Sequence, residues 1–300
     1  MKSRAVFVDP ERDREFRENG FTVVPLLTPE EVSEAWAALS AILDAHAAAS
    51  AKDDLRRYHE GPEGNSNADQ GFHVSYYSPD SSYQREVMAL VQGIFDTRLG
   101  RIVSGYRVSS GGAFVKAPGG GEMAVHRDYV VTPDPDEVTF TVWCALADVD
   151  EANGALHMLA GSHRVRDQIN GPGVEPFFSG YPDRIKERSV SVPAKAGEAV
   201  VFRTGTIHWS PPNRSQRPRP ALHFVGVPEG ARNVIYTAAD GGFDIRDLTD
   251  GEIFDPAHPP PAIGFLKHEN RPLAWKELVR LLDRREEGWL ARTWRSVRGS

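Results

Sequence analysis

Ala124-Val125-His126-Arg127-Asp128-Tyr129 takes its meaning from a later stretch, Thr206-Ile207-His208-Trp209-Ser210. Side chains alternate faces along an extended strand, so His126 and Asp128 project together while Arg127 points away. One imidazole and one carboxylate so spaced can grip a single metal ion. If His208 arrives from a neighbouring strand, the set becomes two histidines and a carboxylate on one face of the metal. That is the facial triad of non-haem Fe(II) oxygenases, which keeps positions open for cosubstrate and oxygen. A His-x-Asp alone carries little weight in a chain with 10 histidines, so its surroundings decide.

Those surroundings read as strands. Residues 102–116 are rich in Val, Tyr, Ser and Phe, and Pro118-Gly119-Gly120-Gly121 turns the chain into the His126 stretch. Residues 137–148 form a strongly strand-like run, Asn153-Gly154 marks a tight turn, and residues 155–159 return in the manner of a hairpin. Strands resume at 189–192, 199–203, 221–227 and 234–237. Several short strands with turn signals between them argue for a sandwich or barrel rather than a βαβ fold.

Upstream, residues 10–18 read as a short helix, and residues 21–27 as a strand that Pro25 confines to an edge or an end. Thr28-Pro29-Glu30-Glu31 is a helix start, with Thr28 as cap and Glu31 completing the box. Val32, Ala35, Trp36, Leu39, Ile42 and Leu43 form one stripe, and the helix is expected to run to about residue 51. Residues 52–81 lose periodicity and read as a long loop, followed by a helix over about 82–97. Residues 238–264 read as loop and 274–297 as a helix bearing Leu278, Leu282, Trp289 and Trp294. The expected organisation is one domain over 1–300: a helical part to residue 100, a β core over 101–237 with a lid-like insertion at 164–188, and a loop and helix over 238–300.

With 300 residues and 40% hydrophobic content, the chain can bury a full core. A net charge of -7 gives no field to draw nucleic acid or an anionic membrane, which leaves small molecules as the expected partners. Cys144 is the one cysteine, so neither an internal disulfide nor a thiolate cluster is available. Residues 1–10 lack the apolar run of a signal peptide and no 18-residue apolar window occurs, so a cytoplasmic protein is expected.

Around these stretches a family likeness emerges. His126-x-Asp128 is followed by Trp143-x-Ala145-Leu146-x-Asp148, Asn153-Gly154 and Gly161-Ser162-His163. Then comes His208-x-Ser210-x-x-Asn213, with Arg219 eleven residues after His208. With the Gly20-Phe21 to Val32 opening, the sequence resembles the phytanoyl-CoA dioxygenase family over roughly residues 18–227.

The resemblance implies a mainly β protein with flanking α-helices, a double-stranded β-helix or cupin-like jelly roll that uses Fe(II), 2-oxoglutarate and O2. His126, Asp128 and His208 would ligate iron. Arg219 would clamp the far carboxylate of 2-oxoglutarate, because a planar bidentate cation suits that group. Arg217 is the runner-up, and Arg214 lies in the expected turn. Lys116 and Ser210 match family positions that contact the cosubstrate. A solvated strand-end lysine and a simple turn serine are the plainer readings of those two. Asn153-Gly154 and His163 are read as structural, and neither His157 nor His223 as a ligand. Asp at position 128 leaves no room for the iron-bound chloride of the halogenating relatives. The implied reaction is therefore oxidation of a substrate C-H bond, by default hydroxylation of a small secondary metabolite.

Two other readings compete: a cupin-type metal enzyme without 2-oxoglutarate, in which Arg219 and Arg217 would lie on the surface, and a metal-free jelly-roll ligand-binding protein. Residues 56–77 and the 164–188 segment, with Phe177, Phe178, Tyr181, Arg184 and Lys186, are the candidate substrate walls. A monomer or a homodimer is expected, with the C-terminal helix on the outside of the β core or on a second subunit.

Overall fold

The structure is a computed structural model that describes residues 5–46, 72–78, 80–134, 137–252, 254 and 258–283. The first helix, α1 (Pro10–Asn19), starts where the Asp9 carboxylate accepts from the Glu11 and Arg12 amides and stops at Gly20, whose φ of 88° favours glycine. Strand β1 (Phe21–Pro25) leads to α2 (Pro29–Ala45), which carries the expected Thr28/Glu31 capping box. The expected extension of α2 to residue 51 lies outside the described residues. Helix α3 (Ser81–Phe95) buries Val87 and Val91.

The strands that follow are β2 (Phe72–Val74), β3 (Tyr106–Lys116), β4 (Met123–His126), β5 (Phe140–Ala145), β6 (Leu156–Met158), β7 (Val190–Val192), β8 (Glu198–Arg203), β9 (His208–Ser210) and β10 (Arg219–Pro228). They form a six-stranded antiparallel sheet, β1-β8-β5-β10-β3-β2, and a four-stranded one, β4-β9-β6-β7. Pro25 sits on the edge strand, where its missing amide costs no ladder bond. Strand alternation splits the large sheet into two faces. Val142, Cys144, Leu222 and Phe224 meet Phe16, Leu39, Val91 and Phe95 of the three helices. Trp143, Ala145, Val200 and Ala221 face Leu156, Met158 and Val192 of the small sheet. This is the expected double-stranded β-helix, with helices on one outer face.

Four expectations need correction. Asn153-Gly154 does not join a hairpin, because β5 pairs with β8 and β10 while β6 pairs with β7 and β9, so the turn carries the chain from one sheet to the other. The turn is tight all the same: Asp150 accepts from the Ala152 and Asn153 amides, and Gly154 has φ 94°. Residues 238–264 are not loop alone, since β11 (Val234–Ala239), β12 (Gly242–Asp247) and β13 (Ala262–Leu266) form a third, antiparallel sheet. Charged residues such as Asp244, Arg246 and Asp247, paired within this sheet or to Arg232, hid its alternation.

The 52–81 segment is not loop alone, since β2 pairs with β3 and a 3-10 turn follows over Ser75–Tyr77; its residues up to 71 lie outside the described residues. Finally, Phe177 and Phe178 do not form a lid. They are buried with Ile185 of α4 (Pro182–Arg188) and with Leu273, Leu278 and Leu282, the last two on α5 (Trp275–Leu282). The C-terminal helix is thus packed on the protein as far as residue 282, while Trp289 and Trp294 lie outside the described residues. Among the described residues no helix is long and apolar enough to cross a membrane.

Leu278, fully buried where α5 meets Phe177 and Phe178, tests this packing. Leu278→Ala should cost about 2–5 kcal/mol in urea unfolding. A loss under about 0.5 kcal/mol, the size of an ordinary surface substitution, would mean that α5 does not pack there.

Candidate metal centre and buried cationic pocket

Antiparallel pairing of β4 with β9 sets His126 opposite His208, their ring centroids 4.1 Å apart. Each ring is oriented by its own strand: Nδ1 of His126 lies 2.8 Å from the Ala124 carbonyl and Nδ1 of His208 2.9 Å from the Thr206 carbonyl. A carbonyl only accepts, so Nδ1 carries the proton and the Nε2 lone pair of each ring is free to bind. Asp128, two residues beyond His126, places Oδ1 3.9 Å from Nε2 of His126 and 3.8 Å from Nε2 of His208. The three ligand atoms lie within 4.8 Å of one another. Burial, reinforced by His126, lowers the His208 pKa to about 4, so this imidazole is neutral at pH 7, as a ligand must be.

Two positioning residues escape sequence reading. Thr141, on the inner face of β5, donates to Oδ2 of Asp128 and leaves Oδ1 toward the histidines. Its inward parity with Trp143 is a signal that could have found it. Asn170 donates to the carbonyls of Arg127, at 2.6 Å, and Asp128, at 3.1 Å, and accepts from the Val130 amide on its own carbonyl. No pattern marked Asn170. Arg127 points away from the cluster, over the Phe177 ring at 5.6 Å, as alternation requires.

A second constellation stands on the same inner face. Arg219 opens β10 directly opposite Lys116 at the end of β3. Arg219 is 1% exposed, stacks 4.9 Å over Trp143 and donates from Nη1 to the Gly154 carbonyl at 2.8 Å. Its Nε is buried with no hydrogen-bond partner among the described residues. Burial pulls its pKa down to about 9. Lys116 is not a solvated strand-end lysine: it is fully buried, with Nζ 2.8 Å from Ser210 Oγ and 2.6 Å from the Pro211 carbonyl. Burial first, then the nearby Arg219, brings its pKa to about 6 against the pull of Glu122.

Ser210 follows His208 by two residues on β9, so one short strand serves both constellations. Arg214 and Arg217 are exposed, unlike a residue that grips a buried carboxylate, whereas Arg219 is buried, against the surface position that the cupin-type alternative required of it. Asn213 bonds the Lys116 and Arg217 carbonyls as a turn residue, and His163 bonds the Arg17 carbonyl at 3.0 Å. His157 lies on the outer face against Trp209, while His223 is buried inside.

Fold and site together define a class: a jelly-roll protein with a two-histidine, one-aspartate cluster between its sheets and a buried Arg/Lys pair on the inner face of the large sheet. Residues 16–221 match the phytanoyl-CoA dioxygenase (PhyH) family, and the chain belongs to it. It is 37% identical over 118 residues to a phytanoyl-CoA dioxygenase of Arabidopsis thaliana, covering 37% of this chain and 41% of that protein. It is 31% identical over 143 residues to a methylphosphonate hydroxylase of Gimesia maris, covering 46% and 52%. These matches thus span about half or less of either relative. Among solved structures, the fold is similar to the non-heme alpha ketoglutarate dependent carbocyclase SnoK from nogalamycin biosynthesis, with TM-score 0.53, 23% identity, and 75% and 86% of the two chains covered. It is also similar to the epimerase SnoN, with TM-score 0.52, 20% identity, and 74% and 84% covered.

Thr141→Val should weaken divalent-metal binding about 10- to 100-fold while leaving the unfolding midpoint nearly unchanged; equal metal affinity in a calorimetric titration would remove Thr141 from the site. Burial holds His73, His208 and His223 near pKa 4, below the ordinary 6.5. The unfolded chain therefore binds more protons than the folded one, and stability of the metal-free protein should fall as pH drops from 6.5 toward 5. His46, raised by Glu86 and Asp80, opposes this, but it is one group against three. A denaturation midpoint that is flat or rising over that interval would contradict the burial of these rings.

Proposed function

We propose that the protein is an Fe(II)- and 2-oxoglutarate-dependent oxygenase that oxidises, by hydroxylation, an aliphatic C-H bond of a small organic molecule in secondary metabolism. His126, Asp128 and His208 are the proposed iron ligands, and Arg219, Lys116 and Ser210 the proposed cosubstrate contacts. Bound together, iron and 2-oxoglutarate supply activation of O2 coupled to decarboxylation of the cosubstrate to succinate and CO2.

The observation that carries this reading is Arg219: a guanidinium taken out of water, stacked on Trp143, with Nε left without a hydrogen-bond partner among the described residues. Burying a charge so costs several kcal/mol unless an opposite charge arrives. A carboxylate seated in the planar fork of Arg219 supplies that charge. It would also favour the protonated form of Lys116, whose ammonium then adds a donor from the facing strand.

The donor chemistry of the cluster fits the metal equally well. Both imidazoles present Nε2 with Nδ1 protonated, and Thr141 holds the Asp128 carboxylate so that one oxygen faces them. Asp128 occupies the position that a halogenating enzyme leaves vacant, which favours oxygen transfer. The names of the curated relatives, dioxygenases and a hydroxylase, support oxidation of a C-H bond. The whole described chain is read as one domain, since the third sheet and α5 pack with the 164–188 segment against the β core.

Arg219→Ala should weaken 2-oxoglutarate binding to the metal-loaded protein about 10- to 100-fold, the loss expected for one or two charge-assisted hydrogen bonds. Arg219→Lys should recover only part of it, since lysine lacks the planar fork. Unchanged affinity in both variants, read by calorimetry, would refute the assignment.

A further inference from the structure

The inner face of β10 carries Arg219, Ala221 and His223 in succession, and His223 belongs to neither constellation described above. It lies four residues from Arg219, about 13 Å along the strand, well beyond the Arg219 fork. Its Nδ1 is 3.1 Å from the Gly112 carbonyl on β3 and so carries the proton, which leaves Nε2 as an acceptor. Burial lowers its pKa to about 4, outweighing the Gly112 bond and the Asp128 carboxylate, so the ring is a neutral acceptor at pH 7.

Its neighbours are aromatic. Phe114 sits 4.6 Å from the His223 ring and Tyr76 5.3 Å, and the two aromatics meet edge to face at 5.8 Å. Both are half-buried on the inner side of the large sheet: Phe114 packs in part against the inner core cluster, and part of each ring stays accessible. This wall is built in place. Ser75 Oγ accepts from the Ala113 amide at 2.9 Å, and Gln84 donates to the carbonyls of Tyr76 and Ser78 at 3.1 and 2.7 Å. Gly112 makes room for it: a Cβ there would stand 2.6 Å from Ser75 Oγ and 3.2 Å from both the His223 and Tyr76 rings.

We infer that His223 Nε2 accepts a hydrogen bond from a hydroxyl or amine of the primary substrate, whose carbon skeleton lies against Tyr76 and Phe114. The site thus selects an apolar or ring-bearing molecule with a donor group close to the carbon presented to the metal. This rests on the proposed oxygenase reading for the identity of that molecule as substrate, and on the geometry alone for the recognition. A buried acceptor discriminates strongly, because an analogue without the donor leaves Nε2 desolvated and unpaired.

The experiment uses the full chain and matched probes that differ only in the donor: benzyl alcohol against benzyl methyl ether, and cyclohexanol against methoxycyclohexane. Their affinities are measured by ligand-observed NMR titration, with and without Fe(II) and 2-oxoglutarate under anaerobic conditions, and the metal-to-ligand charge-transfer band is read in the loaded samples. The alcohols should bind about three- to tenfold tighter than the ethers. His223→Phe should erase that ratio and His223→Gln, which keeps an acceptor, should retain part of it. Tyr76→Leu should weaken both members of a pair and leave the ratio intact. Equal affinity within pairs, no binding of either member, or a ratio that survives His223→Phe overturns the inference. Absence of the band with an intact, His223-dependent ratio would instead refute the oxygenase reading and leave the recognition site standing.

Discussion

The register between β4 and β9 is the constraint on which the site depends. It places His126 across from His208, and a slip of one residue would turn one imidazole to the outer face. Both strands are short, so the register is held from outside them. Met158 on β6 pairs with His208, Ser162 Oγ accepts from the Ile207 amide, and Asn170 grips the Arg127 and Asp128 carbonyls. The backbone of the three proposed ligands is thus tied into a core that closes on α5, so residues remote from the candidate cluster hold its geometry.

The large sheet bears the opposite burden. Its inner face buries charge rather than apolar surface at the Arg219/Lys116 end, and the helix layer on its other face supplies compensating stability. Phe16, Leu39, Phe95 and Phe224 belong to the apolar core of that layer. One strand face therefore stabilises the fold while the other is kept electrostatically incomplete. Under the proposed function, such a division would let an arriving carboxylate gain binding energy from a pocket that is already desolvated and oriented.

What the sequence made legible follows the range of each signal. His126 and Asp128 could be paired from strand periodicity alone, and Arg219 emerged over Arg217 because its spacing from His208 matches the family. The capping box of α2 and the edge position of Pro25 are local and were readable. Burial of Lys116 was not, since nothing local separates a strand-end lysine in water from one enclosed by β9 and β10. The Asn153-Gly154 turn has hairpin chemistry yet crosses between sheets, because pairing is decided by which edges stand free. Phe177 and Phe178 have the character of lid aromatics, yet α5 covers them, a contact between segments far apart in the chain. Thr141 escapes notice although its parity with Trp143 marks it as inward, whereas Asn170 acts through side-chain bonds to backbone carbonyls and leaves no periodic trace.

The most direct test of the central claim is an anaerobic titration of the protein with Fe(II) and 2-oxoglutarate, following the visible metal-to-ligand charge-transfer band of the chelate, with Asp128→Ala in parallel. A band that saturates at one equivalent of iron per chain is expected in the parent, lost or strongly weakened in the variant. Iron binding with no band, or a band indifferent to Asp128, would contradict the claim.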